Sequence, residues 1–132
     1  MALSVKIVSP DRIVWDSQAD EVILPSLTGQ LGILTNHAPL LTGLSIGVMR
    51  VRSQGKYIPV AVLGGFAEVD DNNVNILVNA AELGSTIDVK RAQEAKARAE
   101  KVLAGNPSKS EVLQAEQSIE RANARLRAAG TA

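Results

Sequence analysis

The chain has 132 residues, of which 14 are basic and 14 acidic, so its formal net charge is zero. It contains no cysteine, which excludes disulfides and thiolate chemistry. Aromatic residues make up 2% of the chain, too few for a surface that stacks the bases of nucleic acid. The length indicates one domain, or one domain with an appendage.

No apolar run approaches the roughly 20 residues that a membrane-spanning helix needs. The first residues lack a basic segment followed by an apolar core, so we expect no signal peptide. If the protein works at a membrane, another protein must hold it there.

Short apolar alternations in the first part of the chain predict β-strands. They cover residues 3–7, 12–16, 21–25, 30–34, 46–52, 56–63 and 74–78. Ser53-Gln54-Gly55 predicts a hairpin turn, Gly64-Gly65-Phe66 predicts a bulge that breaks a strand, and residues 70–73 predict a turn. Short strands with turns every 8–12 residues indicate a sandwich or a barrel and not a parallel α/β sheet.

After residue 84 the apolar period changes to the spacing of helices. Asp88 predicts the N-cap of a first helix that ends before Gly105-Asn106-Pro107. Ser108 and Glu111 form a capping box that starts a second helix. Two helices of about 16 and 19 residues with a short connection predict an antiparallel hairpin.

The predicted seam of this hairpin consists mostly of alanine. Its members in the first and second helix are Ala92, Ala95, Ala99 and Val102, and Val112, Ala115, Ile119, Ala122 and Leu126. Small side chains bury little apolar area, so we expect the hairpin to be the part that detaches, with Gly84 as a hinge. Residues 1–87 carry a net charge of −3 and residues 88–132 carry +3, which suits docking of the hairpin on an acidic surface. The alternative is an ordinary solvated helix face.

The sequence offers little for catalysis. It has no phosphate-binding glycine loop, no His/Cys cluster for a metal, and no nucleophile elbow. His37 beside Thr35 is a candidate base, but no orienting acid lies near it in sequence, so we favour a structural or interface contact for it.

One charged set is more specific, because helical spacing and hairpin geometry would bring its members together near the start of the first helix. The set comprises Glu82, Asp88, Arg91, Arg98, Arg121 and Arg125. Guanidinium groups match phosphate oxygens, and carboxylates can accept from a base or a ribose. The alternative is that these are surface arginines paired with Glu94 or Glu120.

The loop Gly-x-Leu-Gly-x-Leu-x-x-His-Ala-Pro-Leu-Leu, which begins at Gly29, resembles the epsilon subunit of F-type ATP synthases, most closely the cyanobacterial and plastid kind. The resemblance covers essentially the whole chain. It implies an α+β protein with an N-terminal antiparallel β-sandwich at residues 1–84 and a C-terminal antiparallel two-helix hairpin at residues 85–132.

The resemblance implies a non-catalytic rotor subunit of the central stalk, without a catalytic residue, a metal or a required cofactor. The implied partners are the gamma shaft, the c-ring and the catalytic beta subunits, and the membrane is reached only through partner subunits. The hairpin is expected to regulate and inhibit ATP hydrolysis. The implied location is peripheral, on the cytoplasmic or stromal side of an energy-coupling membrane, the thylakoid membrane in particular.

The resemblance also implies three sets of site residues. ATP as a regulatory ligand is expected at Glu82, Ile87, Asp88, Arg91, Ala92, Arg98, Arg121 and Arg125, where residues 87–92 match the family's Ile/Leu-Asp-x-x-Arg-Ala motif. The c-ring contact is expected at Gln30, Leu31, Asn36, His37, Ala38 and Pro39. The inhibitory contact is expected at Arg121, Arg125 and Arg127. Several bacterial relatives have Glu where this chain has Gln30, so a charge-based ring contact is not expected there.

Two other interpretations compete with this one. A ligand-binding β-sandwich module with a capping helical tail would be monomeric and would make no partner contact through residues 30–42. An enzyme with His37 as base lacks a second convergent catalytic group.

Overall fold

In a computed structural model, which describes residues 2–130, eight β-strands precede two α-helices. The strands are β1 (Leu3–Ser9), β2 (Arg12–Ala19), β3 (Glu21–Ser26), β4 (Gly29–Leu34), β5 (Leu40–Ser53), β6 (Lys56–Asp70), β7 (Asn73–Val78) and β8 (Ala81–Leu83). A short 3-10 turn, Gly84–Thr86, leads to α1 (Val89–Ala104) and α2 (Lys109–Ala128). The predicted α+β class and the order of its parts are confirmed. The outermost residues of the two predicted domains, Met1, Thr131 and Ala132, lie outside the described residues.

The strands form one sheet that folds over on itself into two layers. Its order is β2-β1-β7-β6-β5-β3-β4, and β8 pairs with β6. The pairings are antiparallel except between β1 and β7, which run parallel. The long strands β5 and β6 belong to both layers, so they tie the sandwich together.

The strand β6 passes from one layer to the other at a glycine pair. Gly64 and Gly65 have φ angles of 85° and 138°, which side chains rarely tolerate, and a Cβ atom on Gly65 would overlap the carbonyl oxygen of Leu77. The sequence predicted a break here. The strand instead continues and changes its partner, from β8 before the glycines to β7 after them.

The sandwich core consists of fully buried aliphatic side chains from both layers. Its largest members are Leu3, Ile7, Leu24, Ile33, Met49, Ile76, Val5, Val22, Val51, Val60, Val62 and Val69. Trp15 packs against this core while staying half-buried.

The predicted helix starts are confirmed by their hydrogen bonds. The Asp88 carboxylate accepts from the backbone amide of Arg91, and Ser108 and Glu111 form the complete capping box. The seam prediction is correct at the alanines but wrong at Val102, which is 42% exposed. Val102 lies in the last turn of α1, where the polar side chains of Glu111 and Gln114 border the same surface groove and provide no apolar cover.

The hairpin lies folded on the sandwich through α2. A small apolar cluster fills this contact, made by Ile46, Val48, Ala61, Ile87, Ala124 and Ala128. Gly84 is buried beneath it, and a Cβ atom there would overlap the carbonyl oxygen of Ala128 and approach Pro59 to 3.1 Å. The structure therefore gives glycine at position 84 a packing reason that is distinct from the expected hinge.

Candidate functional site

A charged groove of about 540 Å³ lies where α1 begins and α2 meets the sandwich. The structure brings together there six of the eight residues that the resemblance assigned to ATP: Glu82, Asp88, Arg91, Ala92, Arg98 and Arg125. Glu82 lies on β8 of the sandwich and the other five at the hairpin, so the groove exists only while the hairpin is folded back.

An ion pair closes one side of this groove. The Nε atom of Arg125 donates to the Oε1 atom of Glu82 at 2.9 Å, and the two side chains are 28% and 32% exposed. Because α2 carries Arg125 and β8 carries Glu82, this bond links the hairpin directly to the sandwich.

The Asp88 carboxylate is already engaged, because its Oδ1 atom accepts from the backbone amide of Arg91 at 3.1 Å. This is the N-cap bond of α1, and it leaves the second carboxylate oxygen available as an acceptor. One residue thus both fixes the start of the helix and lines the groove.

Two predicted residues do not line the groove. Ile87 is half-buried in the apolar cluster under α2. The guanidinium of Arg121 donates to the hydroxyl of Ser118, one turn earlier on the same helix, at 3.1 Å. The expected convergence of four arginines is therefore correct for Arg91, Arg98 and Arg125 and wrong for Arg121.

Arg12 and Thr86 line the groove although sequence reasoning missed them. The guanidinium of Arg12, at the start of β2, donates to the carbonyl oxygen of Ala81 at 3.2 Å. These two residues are 69 apart in sequence, and no local pattern reports such a contact. The hydroxyl of Thr86 donates to the carbonyl oxygen of Leu83 at 2.8 Å.

The groove carries more positive than negative charge. Within residues 2–130 the ion pairs are Arg125 with Glu82 and Arg52 with Glu21, so the alternative pairing of hairpin arginines with Glu94 or Glu120 is absent there. The guanidinium groups of Arg12, Arg91 and Arg98 form no ion pair in that part of the chain. Three such groups around one groove suit an anionic ligand.

The residues assigned to the c-ring fall into two patches. Asn36 to Pro39 form the loop between β4 and β5, whereas Gln30 and Leu31 lie near the start of β4. The strand rise separates Gln30 from Leu34, where the loop begins, by about 13 Å. In the loop, Nδ1 of His37 lies 2.7 Å from the carbonyl oxygen of Ala38. Within residues 2–130 the hydrogen bonds of His37 are to backbone atoms, without a carboxylate to orient a catalytic base.

Metal and membrane signals are both absent from the described part of the chain. Residues 2–130 hold no cluster of three or more His, Asp or Glu side chains that suits a metal ion. Neither α1 nor α2 is long and apolar enough to cross a bilayer.

These features define a β-sandwich protein whose helical hairpin folds back over one sheet and encloses an anion-compatible groove. Two family descriptions match it in sequence: the beta-sandwich domain of the ATP synthase Delta/Epsilon chain at residues 2–84, and the long alpha-helix domain of the same chain at residues 85–130. The chain therefore belongs to the ATP synthase delta/epsilon chain family.

Individual relatives agree with this assignment. The chain is 66% identical over 130 residues to the ATP synthase epsilon chain of Gloeobacter violaceus, covering 98% of both chains. It is 52% identical over 132 residues to the chloroplastic epsilon chain of Pyropia yezoensis, covering 100% of this chain and 98% of that one. The predicted cyanobacterial and plastid affinity is thus confirmed.

The fold also matches a solved assembly. A chain in the Euglena gracilis mitochondrial ATP synthase structure, described as OSCP/F1/c-ring, superposes with a TM-score of 0.83. The match covers 97% of this chain and 81% of that chain at 23% identity, so it supports the fold alone.

Proposed function

We propose that this chain is the non-catalytic epsilon subunit of a proton-translocating F-type ATP synthase, where it couples the c-ring to the gamma shaft as part of the rotor. The observation that carries the proposal is the match along 98% of the chain to relatives named as ATP synthase epsilon chains. The two regions of the structure suit two tasks, because a rigid sandwich can join partners while a docked hairpin can move.

The gamma contact is proposed for an apolar row on the outer face of the sandwich. The row crosses five neighbouring strands in register, since Ile13 pairs with Val8, Val8 with Leu77, Leu77 with Phe66, and Phe66 with Gly43. Four large side chains in or beside it, Ile13, Leu27, Phe66 and Leu77, are 43–71% exposed. A contiguous exposed apolar patch marks a protein interface more often than a free surface.

A charge placed in this row tests the gamma contact. We expect Phe66→Lys and Leu77→Lys to abolish association with gamma while leaving the circular dichroism spectrum unchanged. Leu113→Lys is the matched control, because Leu113 is 60% exposed but lies on α2. Association that survives both row variants would remove this face from the interface.

The regulatory part of the proposal is supported by the way α2 is held. In the folded hairpin Arg125 is bound to Glu82 of the sandwich, so one of the three arginines proposed for the inhibitory contact is held there, whereas Arg121 bonds to Ser118 within α2. Release of the hairpin would break the Arg125–Glu82 bond, and α2 could then present Arg121, Arg125 and Arg127 together to an acidic surface of the catalytic beta subunits. The folded hairpin is then the non-inhibiting state, and the extended hairpin blocks ATP hydrolysis.

ATP is proposed as a regulatory ligand of the groove, bound by the six residues of the expected set that line it. A cavity of about 540 Å³ falls within the usual range for small-molecule sites. Because the groove combines sandwich and hairpin residues, a ligand bound there would favour the folded state. The phosphates would compete with Glu82 for Arg125, and Arg91 and Arg98 would add charge-assisted hydrogen bonds.

Calorimetry on the full chain tests ATP binding. We expect Arg91→Ala to weaken binding tenfold or more, since a charge-assisted hydrogen bond contributes about 1.5–3 kcal/mol. Arg127→Ala is the matched control, because Arg127 lies on α2 outside the groove. No heat at millimolar ATP, with no chemical-shift change at Asp88, would refute the nucleotide site.

The ATPase rate of the reconstituted complex tests regulation. We expect faster ATP hydrolysis when residues 88–132 are removed, and also when Arg121, Arg125 and Arg127 are changed to Glu. Reversal of Lys90, Lys96 and Lys101 on α1 applies the same charge change to the other helix and serves as control. Equal rates for all chains, at confirmed stoichiometric incorporation, would make the hairpin structural rather than inhibitory.

The location follows from these partners. We propose a peripheral position on the cytoplasmic or stromal side of an energy-coupling membrane, with the thylakoid membrane favoured by the chloroplastic relative. Contact with the membrane would run through the c-ring.

A further inference from the structure

Two turns of the sandwich meet at the end of the molecule that carries the loop 35–39. Asn36 in that loop and Asn72 in the turn between β6 and β7 both have left-handed backbones, with φ angles of 64° and 61°. The backbone amide of Asn36 donates to Oδ1 of Asn72 at 2.6 Å, and Nδ2 of Asn72 lies 3.5 Å from Oδ1 of Asn36. The two asparagines therefore form a reciprocal clasp between segments 36 residues apart.

The two sides of this clasp differ in how firmly the sheet holds them. Asn72 sits in a two-residue turn between the paired residues Asp70 and Asn73, and its carbonyl oxygen accepts from the Ser4 amide at 2.8 Å. The loop 35–39 is tied back by the amide of His37, which donates to the Leu34 carbonyl oxygen at 3.2 Å. The turn is thus an anchor on three strands, and the loop is the segment that needs one.

We propose that Asn72 is a positioning residue for c-ring binding, which fixes the loop 35–39 in its contact conformation before the ring arrives. The inference rests on the proposed ring-facing role of that loop. A primary amide suits this task because it accepts from the Asn36 amide while offering its own hydrogens to the Asn36 side chain.

Preorganisation gives the expected size of the effect. A loop that is ordered before binding loses less conformational freedom when the complex forms. Loss of the clasp removes about one net hydrogen bond from the bound geometry, which corresponds to ring binding weakened about three- to tenfold.

Three variants of the turn separate positioning from other effects. Asn72→Gly removes the side chain while glycine accepts the left-handed backbone without strain. Asn72→Asp keeps an oxygen that accepts from the Asn36 amide, so it should rescue most of the affinity. Asp71→Gly is the matched control, since Asp71 occupies the same turn with a φ of 49° and its side chain makes no hydrogen bond to the loop.

The measurement titrates the full chain, bound to its gamma subunit, onto membranes that contain the c-ring and lack the catalytic head. Hydrogen exchange of the Asn36 amide reports the clasp itself. We expect Asn72→Gly to weaken ring binding and to speed that exchange, Asn72→Asp to stay near the parent chain, and Asp71→Gly to change neither quantity.

Other results overturn the inference. Ring binding of Asn72→Gly at the parent affinity would show that the clasp does not contribute to ring binding. An equal loss in Asp71→Gly would show that the turn touches the ring directly. His37→Glu distinguishes failure of this inference from failure of the proposed function. If His37→Glu weakens ring binding while Asn72→Gly does not, the loop contacts the ring but Asn72 does not position it. If neither variant changes ring binding, both the ring contact of the loop and the positioning role of Asn72 are refuted.

Discussion

The sandwich and the hairpin bury different kinds of side chain. The sandwich core holds isoleucine, leucine, valine and methionine at essentially zero exposure, drawn from both layers. The buried positions of the two helices are alanine apart from Leu126. Each buried methylene contributes about 0.8 kcal/mol, so an alanine seam stabilises far less than an aliphatic core of similar extent.

The difference between the aliphatic core and the alanine seam indicates which part of the molecule can move. Two helices of 16 and 20 residues are marginal on their own and depend on packing. They contact the sandwich through the small apolar cluster around Ala124 and Ala128, the close backbone contact at Gly84, and the ion pair between Arg125 and Glu82. The sandwich can therefore stay folded while the hairpin leaves it.

The largest expected effect is a cavity in the sandwich. Ile76→Ala empties a fully buried position on β7 and should lower the free energy of unfolding by about 2–5 kcal/mol. The same truncation at half-buried Ile119 of α2 should leave the main urea transition of the sandwich unchanged. Urea denaturation followed by Trp15 fluorescence measures both. A shared loss in the two variants would show that sandwich and hairpin unfold as one unit.

A second substitution tests the close contact between Gly84 and α2, on which the hairpin docks. Gly84→Ala places a methyl group where the carbonyl oxygen of Ala128 lies, so α2 must move away from the sheet. Overpacking of this kind costs about 1–3 kcal/mol, and here it should act on docking rather than on either region's own fold. Limited proteolysis of the hairpin should become faster, while the β-sheet signal stays.

The chain offers a matched control for that change. Gly105→Ala, between the helices, would meet its nearest atom at 3.5 Å, an ordinary contact, so proteolysis should stay at the parent rate. If Gly84→Ala also leaves proteolysis unchanged, the close contact at Gly84 does not govern docking of the hairpin.

The local elements of this fold were predictable because neighbouring residues determine them. The alternation in β1 and β7, the N-cap at Asp88 and the capping box at Ser108 all depend on side chains within a few positions. The short strand β8 was missed, since three residues are too few for an alternation. Strand β5 begins at Leu40, six residues before its predicted start, because Gly43 interrupts the apolar pattern after Leu40 and Leu41.

The candidate site was predictable only in part. Helical spacing placed Arg91 and Arg98 on one side of α1, and both line the groove. The position of Arg12 depends on how β2 meets β8 across the fold, which spacing along the chain does not report. The prediction that Arg121 joins the other arginines was wrong, because a spacing of four residues fixes the helix face of a side chain but not which groove it enters.

A third prediction weakens the tie between the two regions. Glu82→Gln removes the carboxylate partner of Arg125 and should shift the hairpin toward release by at most about 1 kcal/mol, since the pair is partly exposed and screened by water. Distance measurements between labels on α1 and β3 report this equilibrium. Glu21→Gln breaks the other ion pair, at 3.4 Å within the sandwich, and should leave the hairpin in place. Equal label distances in all three chains would show that Arg125 and Glu82 do not hold the hairpin.

The smallest expected effect lies at the tip of the hairpin, where the first turn of α2 depends on pH. Hydrogen bonds from the backbone amide and then the hydroxyl of Ser108 hold the pKa of Glu111 below its ordinary value of 4.5. Because the folded pKa is lower than the unfolded one, the ionised carboxylate stabilises the helix start above about pH 4.5, and this contribution is lost as pH falls through the lowered value. Helicity should therefore decrease slightly as pH falls below about 4.5. Glu111→Gln keeps an acceptor for the Ser108 amide without a titrating group, so the difference between the two chains isolates the tip from the other carboxylates. Identical pH profiles of helicity in both chains would refute this contribution. A difference that also appears in the sandwich signal would contradict the separation of the two regions.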